Sequence, residues 1–579
     1  MPKPDGSKPD ELKPNHGAAR AAPTMTRAAA RDHPGPRPAS LFGYPDGVAS
    51  SDVEPRTRLL AVSAVGAFAA ILVAKLLAPG DLWDQTQPRT IAYTADMLAR
   101  GGRSWLLAQD AQGTFATKPP LYNWLAVPWV WLTGKGVELG HRVPSILAAA
   151  AIAFLLVRWG ERLRRGAGWL AALAWIAVFP TLKLAYLARP DMLLCLATLV
   201  GWRAATDLVL DARVGRPARW THAALFWLSF ALAAWTKGAA AAILPAYGAV
   251  AAWSMTGSPS TLLRFRPFTL GLAGGALALA WYAVAAAWEP AHFRETLVYG
   301  EVIGRMSGNG PEGGHEGPLK IVTGLPVMGL YFIARFAPWS IAAILGGLAL
   351  AARTSGSARW RRPDPADGHD AGPVLWAAVL WTLTVILLFS LSSGKRADYI
   401  APVYGPAALV AAWWMLAHRD SPVRRRVAVA PVVAALTLAV HIAVDQSGTI
   451  LPRAAMVRLD TIVERAMAER RADPTTPLVV LAPQLPHVAV LCGDPAPCEN
   501  TVERLRDEIK RHGKAYVLLG TKGTPEPLRS LLASGRAREC WTIDIPDDAA
   551  KAQITHPVRF LAVDTIDGAT GDRATSARE

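Results

Sequence analysis

The chain has 579 residues, 52% of them hydrophobic and only 18% charged, with a formal net charge of +16. An ordinary soluble chain of this length carries about 25% charged residues, so the composition argues against a soluble fold. The positive balance does not point to nucleic acid, because the arginines gather in short clusters between apolar blocks rather than interleaving with aromatics along one face.

Residues 1–55 are rich in Pro, Ala, Arg and Asp without hydrophobic periodicity, the composition of a disordered cytoplasmic tail. No apolar stretch lies near Met1, so no cleavable signal peptide is expected and the block at about Leu59–Ala78 reads as a signal anchor. A polar stretch follows, at about 79–119, and then the Trp-rich segment Leu121–Thr133, short and interrupted by Pro128. It suits a helix lying at the membrane surface better than a span. Further apolar blocks lie near 142–160, 168–187, 192–208, 221–236, 238–256, 268–288, 326–350, 373–391, 399–417 and 427–444. With the first block they predict about eleven spans.

Charge orients this arrangement. With the N-terminus inside, alternation puts Arg158, Arg162, Arg164 and Arg165 in the cytoplasm, with Arg213, Arg216, Arg219, Arg264 and Arg266. Arg359, Arg361 and Arg362 follow, then Arg424, Arg425 and Arg426, so every dense basic cluster falls on one side, as the positive-inside rule expects. The residues left outside include Asp84, Arg89, Lys118, Asp191, Lys237, Arg305, His315, Lys395 and Arg396. Cations on the translocated side run against the bias, and a phosphate at the outer surface would explain them.

The remainder, 451–579, is hydrophilic and mixed. Pro477–Pro483 and Ala515–Leu519 read as strands and Thr501–His512 as an amphipathic helix, together a small α/β domain outside the membrane with a frayed end. Of the four cysteines, Cys195 sits in an apolar block as a packing residue. Cys492 and Cys498 close a short loop, which leaves a disulfide open if the segment lies outside the cytoplasm.

The candidate chemistry sits in the outer loops. Asp84 and Thr86 would face one way in an extended Asp84-Gln-Thr-Gln-Pro-Arg89. Lys118, fixed by the following Pro-Pro pair, either grips a phosphate or snorkels to headgroups. Asp191 is either a helix N-cap or a carboxylate beside a site. Lys237, in Trp235-Thr-Lys-Gly238, is a site cation or part of a plain turn, and Lys395 and Arg396 bind a specific anion or anionic lipid in general. The loop at about 289–320, with Tyr299-Gly-Glu301, Arg305 and His315, is too long for an ordinary connector and suits a binding loop.

Taken in order, Trp83-Asp84 with Pro88-Arg89, Lys118-Pro-Pro-Leu with Trp124, His141-Arg-Val-Pro-Ser145, Asp191-Met, Thr236-Lys237-Gly238, Pro338-Trp339 and Lys395-Arg396 with Tyr399-Ile-Ala-Pro402 form a spaced set. That set resembles the GT-C membrane glycosyltransferases, specifically the aminoarabinose (lipid A) transferase and protein O-mannosyltransferase-like group, over roughly residues 58–420. The resemblance implies an all-α polytopic membrane domain over 56–450. It also implies inverting transfer of a sugar from a polyprenyl-phosphate donor to a lipid, glycan or protein acceptor, with the active site and the C-terminal domain on the extracytoplasmic side of the inner membrane. It puts Arg89 and Lys118 on the carrier phosphate; the outer-loop residues Arg305, Lys395 and Arg396 are further phosphate-binding candidates, and Lys237, His315 and Tyr399 other site candidates. Asp191 matches a second acidic site position, and Asp84, on the face of Thr86 if the segment is extended, is the other candidate catalytic carboxylate. The chain departs from the family at Thr86-Gln87, where an acidic pair is usual, and at Thr117, where an acidic metal ligand is usual. The second change leaves His315 without its partner, so neither a metal nor another cofactor is expected. The first keeps open an inactive family member that binds or assembles; a transporter of lipid-linked substrates is the other alternative.

Overall fold

The computed structural model describes residues 55–77, 86–111, 113–133, 138–304, 324–355, 371–392, 395–417, 429–440, 459–482, 488–492, 501–520, 525–543 and 558–564. The tail over 1–54, Asp84, Arg305, His315, Cys498 and the basic clusters at 359–362 and 424–426 lie outside them.

Helices dominate the membrane part. They are α1 (Pro55–Leu77), α2 (Thr86–Arg100), α3 (Leu121–Thr133), α4 (Glu138–Leu163), α5 (Ala167–Ile176), α6 (Phe179–Leu184), α7 (Asp191–Arg213), α8 (Trp220–Lys237), α9 (Ile243–Thr256) and α10 (Leu272–Trp288). After a wide coil of π-type turns over Phe293–Gly304 come α11 (Leu325–Arg335), α12 (Trp339–Ser355), α13 (Gly372–Ser390), α14 (Tyr404–Ala417) and α15 (Val429–Val440). Among the described residues six helical runs are long and apolar enough to cross a membrane, or seven if the bent pair α11 and α12 counts as one, and α1, α5 and α15 contain shorter apolar stretches. One of the six, Trp220–Thr256, is a hairpin. Along α7, Asp191 meets Lys237, Gly201 meets both Ser229 and Leu244, and Thr206 bonds Tyr247, so α8 runs back along α7 while α9 runs with it. Gly238, at φ 59°, makes the turn.

Two blocks expected as single spans are broken. The block at 168–187 divides into α5 and α6, with Pro180 in the first turn of α6, where a missing N–H costs nothing. The block at 326–350 divides into α11 and α12, which meet at 116°. Pro338 interrupts the amide ladder between them, and Ser340 Oγ donates to the Ile333 carbonyl across the bend at 2.8 Å. The stretch at 79–119, expected as a polar connector, contains α2, whose residues Ile91–Met97 are all buried. Ile91, Ala92 and Ala95 pack into a cluster with the C-terminal unit, Tyr93 and Met97 against Ala108 and Ala116, and Thr90 and Thr94 bond Asn123 of α3. Three partners surround the helix, so its sequence shows no clean polar face.

The bundle has two chemically different ends. Gly166 approaches Thr57 of α1, Trp159 packs on Trp202, and Arg264 donates to the Arg216 carbonyl. The described basic clusters at 158–165, 213–219 and 264–266 therefore share one end. Ser145, Arg189, Asp191, Lys237 and Asp398 share the other.

The C-terminal unit is a four-stranded sheet in the order β1-β2-β4-β3, with β1 (Leu478–Leu481) parallel to β2 (Ala515–Leu519), and β4 (Val558–Val563) antiparallel to β2 and β3 (Ala537–Ile543). Alternation sends Leu478, Val480, Leu518 and Phe560 to one face, toward α16 (Leu459–Ala472) and α2, and Val479, Leu481, Val517 and Leu561 to the other. Leu505 and Ile509 of α17 (Val502–His512) cover that second face. Thr501 caps α17, its hydroxyl accepting from the Arg504 amide, and Gly513 at φ 74° ends it. Cys195 is buried in the core of the bundle, as the sequence predicts, and is a free thiol; the possible disulfide at Cys492 involves Cys498, which lies outside the described residues.

The seat of the C-terminal unit on α2 predicts a specific weakening. Ile91→Ala should cost about 2–5 kcal/mol of packing. Hydrogen exchange should then rise together in α2 and α16 and stay unchanged in α7.

Candidate active site

A cavity of about 860 Å³, open space at its mouth included, lies at the end of the bundle away from the basic clusters. Arg89, Thr90 and Tyr93 of α2 line one wall; Thr117, Lys118 and Pro119 come from the loop ahead of α3, and Tyr122 and Asn123 from α3 itself. Arg189, Pro190, Thr236, Lys237, Glu301, Arg396, Asp398 and Tyr399 complete it.

One chain of charges holds these elements together. Lys237 Nζ lies 2.5 Å from Asp191 Oδ1, and Arg189 Nε lies 3.0 Å from Asp191 Oδ2. Arg189 Nη1 reaches Asp398 Oδ2 at 3.5 Å, and Arg335 Nη1 reaches Asp398 Oδ1 at 3.0 Å. Each charge suits its place in the fold. Lys237 and Arg335 stand in the last turns of α8 and α11, and Asp191 in the first turn of α7, where helix dipoles favour those signs. The Tyr399 ring lies 5.3 Å from Lys237 Nζ, within cation–π range.

Local structure explains the spaced motifs. Gly238 needs its positive φ, and a Cβ there would come within 2.3 Å of Tyr282 Oη. Ser145 Oγ donates to the Leu187 carbonyl at 2.6 Å, and Arg142 stacks over Tyr186 at 4.5 Å, so the segment His141–Ser145 supports the turn that presents Arg189 and Asp191. Pro119 and Pro120 lead into α3, and Trp124 ties it down through Trp105 O, at 2.6 Å, and the Trp235 ring. Arg89 pairs with the buried Asp110 at 3.2 Å.

Lys118 has no hydrogen-bond or ion-pair partner among the described residues. Desolvation, and then the nearby Lys237, push its pKa down to about 8. An anion beside it would restore the charge.

Of the residues singled out from sequence, the structure brings Arg89, Lys118, Lys237, Arg396 and Tyr399 to the cavity. Asp191 stands behind it, 2% exposed, and does not line it. Asp191 is not an N-cap either: Pro190 holds that position, and both carboxylate oxygens serve cations. Lys395 does not line the cavity, although its neighbour Arg396 does. Sequence reasoning missed Arg189, Asp398, Glu301, Tyr93, Asn123 and Arg335. Asp398 and Glu301 lie inside the motifs quoted above and Arg189 stands two residues before Asp191, where neighbouring residues drew the roles. Thr117 offers a hydroxyl where a divalent metal would want a carboxylate, and His315 lies outside the described residues. Among the described residues no group of three His, Cys, Asp or Glu side chains is placed to hold one.

No protein-family model matches the chain. It is 25% identical over 355 residues to an undecaprenyl phosphate-alpha-4-amino-4-deoxy-L-arabinose arabinosyl transferase of Pectobacterium carotovorum, covering 58% of this chain and 55% of the relative. It is 25% identical over 364 residues to another from Sodalis glossinidius, covering 60% and 58%. The chain thus spans little more than half the length of the curated relatives it matches. The crystal structure of ArnT from Cupriavidus metallidurans bound to undecaprenyl phosphate is similar over 88% of this chain and 98% of that one, with a TM-score of 0.59 at 15% identity. The likeness to the ArnT crystal structure shows that the two chains share a fold.

Proposed function

We propose that the protein is a glycosyltransferase that moves a sugar from a polyprenyl-phosphate carrier to a lipid acceptor at the outer face of the inner membrane. The observation that carries this reading is the cation-lined cavity with Lys118, unpartnered among the described residues, at its wall, at the end of the bundle opposite the described basic clusters. The outer placement follows from those clusters, which the positive-inside rule assigns to the cytoplasm. The C-terminal unit, seated on α2 beside the cavity, then lies outside the cytoplasm as well. The relatives named above are transferases that use undecaprenyl phosphate, which agrees with this chemistry.

In this reading Lys118 is the point charge that meets the carrier phosphate, with Arg396 and Arg89 at its sides. The acceptor oxygen attacks the anomeric carbon from the face opposite the phosphate, inverting the configuration. Charge gathers on the departing phosphate, and fixed cations in a partly dry cavity stabilise it far better than water-exposed ones would. Asp191 has a positioning role: it aims Lys237 and Arg189 and does not reach the acceptor.

Protein in nanodiscs, supplied with radiolabelled polyprenyl-phosphate sugars and a lipid extract, should transfer label to lipid. Lys118→Ala should lower transfer by about 100-fold or more, in the range seen when one charge-stabilising donor is removed. Transfer unaffected by Lys118→Ala would contradict the assignment, and no transfer from any donor would favour the inactive reading.

Affinity for the donor should depend on pH with a definite sign. Lys118 must be protonated to hold a phosphate, so binding is full below about pH 8 and weakens as pH rises through it. Titrated binding of polyprenyl phosphate should show this fall in the wild type and lose it in Lys118→Ala.

Asp191→Asn should leave two buried cations without their carboxylate and cost about 3–5 kcal/mol. Thermal melting in nanodiscs should register the loss even without substrate, as expected of a residue that holds the site together.

A further inference from the structure

A buried polar group nearly always has a hydrogen-bond partner, because leaving one unpaired away from water costs free energy. Tyr93 departs from that rule at the wall of the cavity. It lines the cavity and is 7% exposed, and its hydroxyl oxygen is buried without a hydrogen-bond partner among the described residues. The charges whose fields reach that hydroxyl are Asp110, Arg89 and Glu301. Arg89 and Glu301 line the cavity too, which puts the hydroxyl on the cavity side of the ring. Burial, and then the Asp110 carboxylate, push the phenol pKa up, so the group keeps its proton to donate.

The hydroxyl is held in place. The Tyr93 ring packs against Met97, Ala108 and Ala116, with Trp124 beside them. The Ala116 amide donates to the Ala108 carbonyl at 2.8 Å, within the loop that runs on to Lys118. Asn123 of α3 donates to the Thr90 carbonyl at 2.8 Å and to Thr94 Oγ1 at 2.9 Å, gripping α2 on both sides of Tyr93 in sequence. A phenol oxygen lies on the axis of its ring, so with the ring clamped it cannot turn to a partner elsewhere.

Charge separates this place from that of the phosphate. At Tyr93 two carboxylates stand against one cation, Arg89, which already pairs with Asp110. At Lys118 the cations Lys237 and Arg189 stand near, and Asp191 between them is engaged by both. Glu301 reaches both places, so the difference lies in Asp110 at one and the pair of cations at the other. An anion therefore settles at Lys118 and a neutral polar group at Tyr93. The part of a polyprenyl-phosphate sugar that is neutral, rich in oxygens and bonded directly to the phosphate is the sugar. We infer that Tyr93 is a specificity-determining residue that donates a hydrogen bond to an oxygen of the donor's sugar, an inference that rests on the donor reading above.

The test uses full-length protein in nanodiscs and compares the wild type with Tyr93→Phe. Binding is measured for undecaprenyl phosphate alone and for its glucosyl, mannosyl and arabinosyl forms, and thermal melting is recorded without ligand. Tyr93→Phe should weaken binding of the sugar form that the wild type prefers by about 5- to 10-fold, the usual worth of one hydrogen bond, and narrow the preference among the three. Binding of the bare carrier should stay within about twofold. Melting without ligand should be unchanged or higher, since the variant removes an unpaired buried hydroxyl and nothing else. Equal weakening of the bare carrier and the sugar forms would overturn the inference by assigning the hydroxyl to the phosphate. No weakening of any form would overturn it, and so would a lower melting temperature or a failure to fold, either of which would give the hydroxyl a structural role. A wild type that binds the carrier but prefers none of the sugar forms would overturn it while leaving the phosphate site standing. A wild type that binds neither carrier nor sugar forms would instead remove the donor reading itself, and this inference with it.

Discussion

The alternating chain Lys237–Asp191–Arg189–Asp398–Arg335 is the interaction on which the rest of the site depends. It joins the end of α8, the start of α7, the turn before α7, the 3-10 turn Ala397–Val403 and the end of α11. These elements also share apolar packing, but lipid tails solvate apolar helices about as well as other helices do, so apolar contact alone fixes their meeting less sharply than the charges do. Charges at low dielectric are costly alone and strongly coupled in alternation, so the chain fixes the ends of the helices in one arrangement. The chain has three cations to two carboxylates, and its excess faces a cavity that also receives Lys118 and Arg89. A phosphate completes that balance better than a neutral ligand would.

The second constraint is mechanical. α2 carries Arg89 and Tyr93 into the cavity on one side and takes the C-terminal sheet on another. The sheet is buried on both faces, by α16 and α2 on one and by α17 on the other, so the membrane part supplies part of one of its covering layers. The soluble unit thereby steadies a cavity wall, which makes it part of the site's architecture without supplying a residue to it.

The sequence carried the architecture well where one rule acts alone. Apolar blocks marked most helices, and the short apolar runs Pro477–Pro483 and Ala515–Leu519 with the amphipathic run Thr501–His512 marked β1, β2 and α17. It failed where tertiary contacts override composition. α2 hid in a polar stretch because three different partners bury it, and α5–α6 and α11–α12 looked like single spans because apolar runs do not show a bend. The site was legible as a set of motifs but not as roles. Asp191 reads as an acid, a cap or a base until its two cations are seen, and Arg189 and Asp398 pair across about two hundred residues of chain, a distance no spacing rule reaches.

The most direct test of this account is the position of a carrier phosphate in the cavity. A cryo-electron microscopy structure of the protein in nanodiscs with polyprenyl phosphate should place the phosphate within hydrogen-bonding distance of Lys118 Nζ, with the five-membered charge chain intact behind it. A phosphate bound elsewhere, with Lys118 turned toward lipid headgroups, would contradict the assignment of this cavity as the donor site.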